Sequence, residues 1–148
     1  MIDINAHISF IKNTFEKQKI SNAVIAVSGG IDSAVSLSLL TQALSRQHIF
    51  PVLLPYKTQN MDDAQAICVW NKIPESQWHT CNIEKPVQEI ASLTNIDADD
   101  HVRLGNVMAR VRMILVYDFA KKHNALVCGT ENKSEHYLGY FTRFGDSA

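Results

Sequence analysis

Ser28-Gly29-Gly30-Ile31-Asp32-Ser33 is the stretch that decides the fold class, because it joins an apolar run to a helical pattern. The run before it, residues 23–27, reads Ala-Val-Ile-Ala-Val and predicts a buried strand, and the helical pattern begins at Ala34. Two adjacent glycines allow the backbone to turn and to approach a ligand closely. Ser28, Ser33 and the first helical amides offer hydrogen-bond donors to an anion. The sequence therefore predicts a phosphate-binding loop between a strand and a helix.

Asp32 distinguishes this loop from a Walker loop, which needs a lysine directly after its last glycine. No lysine follows Gly30, and an acid at this position would repel a phosphate unless a divalent cation stood between them. The pattern therefore predicts a magnesium-bound pyrophosphate as the ligand. The alternative is a plain Gly-Gly turn in which Asp32 and Ser33 cap the helix, because both residue types are good N-caps.

Length and composition favour one ordinary globular domain. The chain has 148 residues, 46% hydrophobic and 20% charged, and its 14 basic and 15 acidic side chains give a formal net charge of −1. No global field draws such a chain to nucleic acid, and no apolar run is long enough to span a bilayer. We expect a cytoplasmic protein with neither nucleic-acid nor membrane partners. The cysteines, Cys68, Cys81 and Cys128, include no C-x-x-C pair and are expected to be reduced core thiols rather than disulfides or zinc ligands.

Strands alternate with helices along the chain. The patterns predict helices up to Gln18, from Ala34 to about Arg46, over 61–71, over 84–94 and up to about His123, with strands over 23–28, 49–54, 77–83 and 125–128. The acids at 97–100 predict a turn and helix cap, and a polar turn with a new helix follows from Gly129. This alternation predicts an α/β fold, a three-layer doubly wound parallel sheet. In a 3-2-1-4 strand order, Asp32 and Glu135 converge at the carboxyl ends of strands one and four, and two acids at an anionic ligand need a metal such as magnesium.

Two further motifs lie downstream of the loop. They are Gly105-Asn106-Val107-Met108-Ala109-Arg110-Val111-Arg112-Met113 and Gly129-Thr130-Glu131-Asn132-Lys133-Ser134-Glu135, the second continuing through Leu138-Gly139-Tyr140-Phe141-Thr142-Arg143-Phe144-Gly145-Asp146. The first loop resembles the S-G-G-x-D-S signature of the PP-loop ATP pyrophosphatases, which have the adenine nucleotide alpha hydrolase-like fold. With the two further motifs, the chain from about residue 20 to its end resembles the ammonia-dependent NAD synthetases.

The resemblance implies a ligase in which ATP adenylates the carboxylate of deamido-NAD, pyrophosphate leaves, and ammonia displaces AMP to give NAD. It implies that Asp32 and Glu135 are catalytic and hold Mg²⁺, and that Arg110, Tyr117 and Asp146 bind deamido-NAD. The ATP-binding residues that it implies are Ser28, Gly29, Gly30, Asp32, Ser33 and Thr130. It also implies a homodimer with the deamido-NAD site near the interface.

The residues of the long helix are compatible with such a substrate. Arg103, Arg110 and Tyr117 recur every seven residues, so they share one stripe that suits the phosphates and a base of a dinucleotide. The alternative for the arginines is a solvated helix flank paired with acids. A group of aromatic residues, Tyr137, Tyr140, Phe141 and Phe144, could wall an aromatic substrate, although aromatics at this density are often core or interface residues.

The chain departs from the family pattern in two respects. Leu53 lies where many members carry a basic residue that meets the nucleotide, and Lys57 is a candidate substitute. Members usually continue for about another hundred residues, so we expect a single domain over 1–148 that is truncated at its C-terminus and lacks the last family strand. Because no glutaminase-like segment precedes residue 20, the implied nitrogen source is ammonia. Two other functions stay open: another PP-loop adenylating enzyme, such as a tRNA-modifying thiolase, and a non-catalytic remnant that binds nucleotide or dimerises.

Overall fold

The computed structural model describes residues 3–145, which form six α-helices and four β-strands. The elements are α1 (Ile4–Gln18), β1 (Asn22–Ala26), α2 (Ile31–Ala43), β2 (Ile49–Leu53), α3 (Asp62–Trp70), β3 (His79–Thr80), α4 (Glu84–Leu93), α5 (His101–Lys122), β4 (Ala125–Cys128) and α6 (Lys133–Leu138). None of the helices in this described part combines the length and the apolar character needed to cross a membrane.

The four strands form one parallel sheet in the order β3-β2-β1-β4, which confirms the predicted topology. In the central register, Ala23 of β1 lies opposite Ile49 of β2 and opposite Leu126 of β4. This arrangement brings the carboxyl ends of β1 and β4 side by side, as the sequence predicted for neighbouring strands.

Helices cover both faces of the sheet and produce the expected three layers. The side chains buried between the sheet and the layer of α1, α2 and α3 include Phe15, Ile25, Leu37, Leu40, Leu53 and Cys68. Those buried under α4 and α5 include Val24, Val52, Ile83, Val87, Val111 and Val116. Because β1 is buried on both faces, it is apolar throughout its centre rather than alternating. Full burial of each such Leu or Ile stabilises the fold by about 1.5–3 kcal/mol.

The third strand is shorter than the predicted range 77–83, because β2 offers it few partners. The carbonyl of Val52 accepts from the amide of Val27, the residue after β1, at 3.0 Å, so the backbone groups of Val52 point toward β1. The backbone of the neighbouring Pro51 therefore points toward β3. Because proline has no amide hydrogen, β2 offers one donor fewer on that side. The carbonyl of Ile49 is taken by the side-chain amide of Gln77 at 3.0 Å. At the other end, Cys81 and Ile83 still donate to the carbonyls of Leu53 and Pro55 at 3.0 and 2.8 Å, but β2 itself ends at Leu53. Only His79 and Thr80 therefore pair as strand.

The helix after the phosphate loop begins and ends earlier than predicted. Its N-cap is Gly30, so Asp32 and Ser33 lie in the first turn of α2 and neither of them caps it. The capping alternative for these two residues is therefore wrong. At the other end, α2 stops at Ala43, and Arg46 belongs to a short 3₁₀ turn.

Two histidines meet beside the sheet, His79 at the start of β3 and His123 two residues before β4. The Nε2 atoms of His79 and His123 lie 2.7 Å apart, and Phe119 and Phe50 stack on their outer faces at centroid distances of 4.4 and 4.0 Å. Burial lowers the pKa of both histidines, and the Lys122 ammonium lowers both further.

Candidate nucleotide site

The loop after β1 is organised by its two serines. Ser33 Oγ donates to the carbonyl of Gly30 at 2.9 Å and accepts from the amide of Ser28 at 3.3 Å. The amide of Gly30 donates to Ser28 Oγ at 3.2 Å, and the two hydroxyl oxygens are 3.3 Å apart. Ser33 is buried in the first turn of α2. The hydroxyls therefore shape the loop at a helix N-terminus, where the macrodipole also favours an anion.

Gly29 sets the path of the loop without facing its centre. Its φ is +90°, and a Cβ built on it would lie 3.1 Å from Cβ of Asp63 and 3.3 Å from the amide nitrogen of Ala64. The loop therefore packs against the first turn of α3, where Asp62 and Asp63 begin the helix as acids that its dipole favours. Glycine is required here both by the backbone conformation and by the close approach of α3.

A cavity of about 190 Å³ opens between this loop and the residues that follow β4. Its lining residues are Ser28, Gly30, Asp32, Ser33, Thr130, Glu131 and Glu135. Six of these seven belong to the set that sequence motifs placed in an ATP and metal site, and Glu131 is an addition. Gly29 belongs to the set but does not line the cavity.

Glu135 has a structural role in addition to facing the cavity. Asn132 is the N-cap of α6, and its side-chain oxygen accepts from the amide of Glu135 at 3.0 Å. In return, Glu135 Oε2 accepts from the amide of Asn132 at 3.0 Å, which completes a capping box. The side-chain nitrogen of Asn132 lies 3.4 Å from Oδ2 of Asp32. One asparagine thus contacts both acids that the sequence placed at the end of the sheet.

The residues of the small cavity fit a magnesium ion that also binds phosphate. Their side chains offer hydroxyl and carboxylate oxygens, which are the ligands that Mg²⁺ prefers. Within residues 3–145 no group of three or more His, Cys, Asp or Glu side chains is close enough to surround an ion. Mg²⁺ is usually bound through one or two carboxylates together with water and substrate phosphates. Asp32 and Glu135 meet that requirement.

A larger cavity of about 360 Å³ adjoins the first and shares Ser28 and Thr130 with it. It lies over the carboxyl ends of β1, β2 and β4, and its wall is mainly apolar, with contributions from Val27, Val52, Leu54, Met61, Met113, Val116 and Val127. Cys128 also lines it, and burial raises the pKa of this thiol to about 11, so that it remains protonated at neutral pH. The cavity suits a flat apolar group attached to an anionic one.

Arg112 is the cavity residue that sequence reasoning missed. It reaches from α5 to the end of β2, where its Nε donates to the carbonyl of Leu54 at 3.2 Å, and its side chain lines the larger cavity. No acid within residues 3–145 forms an ion pair with it, and burial lowers the pKa of its guanidinium. A half-buried cation without an acidic partner favours an anionic ligand.

The structure also answers the expectation about position 53. Leu53 is fully buried in the layer of α1 to α3, on the face of the sheet away from the larger cavity. Lys57, the candidate substitute, lies over the ring of Tyr56 at 5.3 Å and lines neither cavity. Arg112 is therefore a better candidate than Lys57 for a basic contact with the nucleotide.

The residues expected to hold a second substrate are only partly brought together. Tyr117 lines the larger cavity, with 49% of its surface exposed. Arg110 lines neither cavity, and its Nε donates to the carbonyl of Arg143 at 3.3 Å. Asp146 lies outside the described residues. Arg103 pairs with Asp100 at 3.8 Å, as the alternative of a solvated flank predicted.

The aromatic residues near the C-terminus do not wall either cavity. Tyr137, Tyr140, Phe141 and Phe144 are all exposed, Tyr140 to 80%. The last described residue, Gly145, is buried against Ala109 of α5 and lines the larger cavity. Among the remaining histidines, His136 is exposed and also lies outside both cavities.

Comparison with known proteins identifies the family. The family model described as NAD synthase matches residues 3–148. The chain belongs to the NAD synthase family. The NH(3)-dependent NAD(+) synthetase of Fusobacterium nucleatum is 38% identical to it over 144 residues, an alignment that covers 97% of this chain and 55% of that protein. The corresponding enzyme of Thermococcus sibiricus is 37% identical over 142 residues, covering 95% of this chain and 54% of that one.

Solved structures of NAD synthase relatives share the fold. An NH3-dependent NAD synthetase from Campylobacter jejuni, in complex with the nitrate ion, superposes with a TM-score of 0.88 at 31% identity, over 99% of this chain and 64% of that one. An NMN synthetase from Francisella tularensis superposes with a TM-score of 0.86 at 30% identity, over 98% and 60%. The chain spans about half the length of the curated relatives it matches.

Proposed function

We propose that the chain is an ATP-dependent ligase that adenylates deamido-NAD and amidates it with ammonia. The observation that carries the proposal is the meeting of two cavities at Ser28 and Thr130. One is small and polar and contains the acids Asp32 and Glu135, and the other is larger and mainly apolar. ATP has two corresponding parts, an anionic phosphate chain and a flat purine ring.

Each part of the loop has a role in this proposal. Ser28, Ser33 and the loop amides bind the pyrophosphate portion of ATP, and Thr130 contacts the nucleotide where the cavities meet. Asp32 and Glu135 hold Mg²⁺, which when bound neutralises part of the phosphate charge as pyrophosphate leaves. Gly29 allows the backbone to lie close to the first turn of α3, which fixes the path of the loop.

The reaction proceeds in two steps. A carboxylate oxygen of deamido-NAD attacks the α-phosphorus of ATP, the bond between this phosphorus and the oxygen leading to the β-phosphate breaks, and pyrophosphate leaves. Ammonia then attacks the acyl carbon, the bond to the AMP oxygen breaks, and the nitrogen loses a proton to give the amide. Because the reacting groups belong to the substrates, the chain contributes mainly positioning and charge stabilisation.

The proposal extends to the second substrate and to assembly. Tyr117, Arg110 and Asp146 bind deamido-NAD, supported by the position of Tyr117 in the wall of the larger cavity. The enzyme is a cytoplasmic homodimer, as the family resemblance implies. We also propose a second acceptor of the adenylyl group, because the relative from Francisella tularensis is an NMN synthetase. The corresponding acid mononucleotide is therefore the alternative substrate.

The test is a coupled assay on the full chain. The protein is incubated with ATP, Mg²⁺, ammonia and either deamido-NAD or the acid mononucleotide, and pyrophosphate and the amidated product are both measured. Stoichiometric release of the two products with deamido-NAD supports the proposal. Asp32→Asn should abolish turnover, whereas the matched control Asp118→Asn, an exposed acid on α5 outside both cavities, should not.

Two other results would support a different function. Pyrophosphate release that requires some other acceptor would indicate a different PP-loop adenylating enzyme. Binding of ATP without any turnover, under conditions in which the protein is folded, would indicate a non-catalytic nucleotide-binding chain.

A further inference from the structure

We propose that Asn132 is a positioning residue, which orients the carboxylate of Asp32 so that Asp32 and Glu135 bind one divalent cation. The inference rests on the function proposed above. Asn132 lies directly between the two acids: its side-chain nitrogen is 3.4 Å from Asp32 Oδ2, and its side-chain oxygen is 3.0 Å from the amide nitrogen of Glu135. It thereby connects the first turn of α2 to the first turn of α6.

The capping box determines which end of the Asn132 amide faces Asp32. Only an oxygen can accept from the amide of Glu135, so the oxygen must point into α6 and the NH₂ group must point toward Asp32. Glu135 Oε2 fixes the backbone of Asn132 from the other side by accepting its amide hydrogen at 3.0 Å. The donor that meets Asp32 is therefore held in place by the helix start itself.

This arrangement leaves one oxygen of each acid to face a cation. Asp32 uses Oδ2 toward Asn132, and Glu135 uses Oε2 in the capping box. Within residues 3–145 neither Oδ1 of Asp32 nor Oε1 of Glu135 has a hydrogen-bond partner, and no Lys, Arg or His forms an ion pair with either acid. Two half-buried acids that face one cavity repel each other unless a cation lies between them. The asparagine stabilises this geometry without adding charge.

A neutral donor suits this position better than the other residues that begin helices well. Serine and aspartate are equally good N-caps, but serine is too short to reach Asp32 while capping, and aspartate would present an acceptor and a third negative charge. Hydrogen-bond partners of metal ligands typically change metal affinity by 10- to 100-fold when they are replaced. The helix requires only an N-cap at position 132, whereas the proposed cation site requires the side-chain amide group of asparagine.

The test compares ATP binding with and without Mg²⁺ for the wild-type chain and for Asn132→Ser. Serine keeps the cap and removes the donor, so the gain in ATP affinity that Mg²⁺ provides should shrink by about tenfold, while binding of ATP without metal stays unchanged. A merely structural role would weaken both equally. The matched control is Asn82→Ser, because Asn82 also accepts from a helix-start amide, that of Glu84 at 2.8 Å, and lies outside both cavities.

A second variant keeps the proposal testable if Asn132→Ser loses α6. Asn132→Asp retains a strong cap, and circular dichroism checks that both variants are folded. With Asp at this position, ATP without metal should bind about tenfold more weakly because a third negative charge faces the phosphates. An unchanged gain from Mg²⁺ in both folded variants would overturn the role of Asn132. No effect of Mg²⁺ on ATP binding by the wild-type chain would instead overturn the proposed function, and this inference with it.

Discussion

Replacing Gly29 with alanine should destabilise the fold through two separable effects at the phosphate loop. The residue has a φ of +90°, which costs an L-amino acid about 1–2 kcal/mol. Its new Cβ would also lie 3.1 Å from Asp63 Cβ and 3.3 Å from the amide nitrogen of Ala64, and Ala64 is fully buried in α3. Because that backbone cannot move away easily, the contact should cost about another 1–2 kcal/mol.

An opposing effect arises in the unfolded chain. Alanine has less backbone freedom than glycine when unfolded, which stabilises the folded protein by about 0.4–1 kcal/mol. The net loss for Gly29→Ala should therefore be about 2 kcal/mol. Gly139→Ala is the matched control, because Gly139 has a φ of +66° but no atom within 4 Å of a built Cβ. This control should lose only about 0.5–1 kcal/mol.

The free energies of unfolding are measured by urea denaturation of the three proteins, with equal slopes required for the comparison. The difference between the two variants isolates the contact of the loop with α3. If Gly29→Ala loses no more stability than Gly139→Ala, the loop does not pack against α3 as described. Under the proposed function, Gly29→Ala should also weaken ATP binding, whereas Gly139→Ala should not.

Three further substitutions test other parts of the molecule. Gly105→Ala, in the interior of α5 with no atom within 4 Å of a built Cβ, should raise the free energy of unfolding by about 0.5–1 kcal/mol. Arg112→Gln should weaken ATP binding about tenfold by removing a charged donor from the larger cavity, and an unchanged dissociation constant would contradict that role. Burial lowers the pKa of His79 and His123 below the ordinary 6.5, so the unfolded chain takes up protons first and stability should fall as the pH drops below about 6.5. His79→Gln should reduce this dependence of the urea midpoint on pH.

Local patterns were sufficient to predict most of the fold. Apolar residues at helical spacing predicted α1 and α5 to within a residue or two of their ends, because both helices bury one stripe and begin with an Asp cap. Buried runs predicted β1, β2 and β4, and the alternation of strands and helices predicted a parallel sheet. The length of β3 could not be predicted in this way. It depends on the side-chain amide of Gln77, which donates to the carbonyl of Ile49, and on Pro51, whose backbone points toward β3.

The side chains that meet across long sequence separations were beyond such patterns. Asn132 and Asp32 are 100 residues apart, and His79 and His123 are 44 apart, so no local spacing indicates either contact. Arg112 was missed for a different reason. The stripe of every seventh residue led to Arg110, but a residue two positions further on points to roughly the opposite side of a helix. The α5 residues that line the larger cavity are Ala109, Arg112, Met113, Val116 and Tyr117, a face to which the stripe contributes only Tyr117.

The register of β4 against β1 brings the two parts of the proposed site together. Ile25 lies opposite Cys128, so the chain leaves the two strands at the same level. Ser28 and Thr130 then follow within three residues of that pair, and both line the wall where the polar and apolar cavities join. In a parallel sheet, a shift of β4 by one residue would turn alternate side chains to the opposite face. Thr130 would then leave the junction of the two cavities, where we propose that it contacts the nucleotide. The strand pairing therefore determines, together with the loop after β1, where the polar and apolar cavities meet.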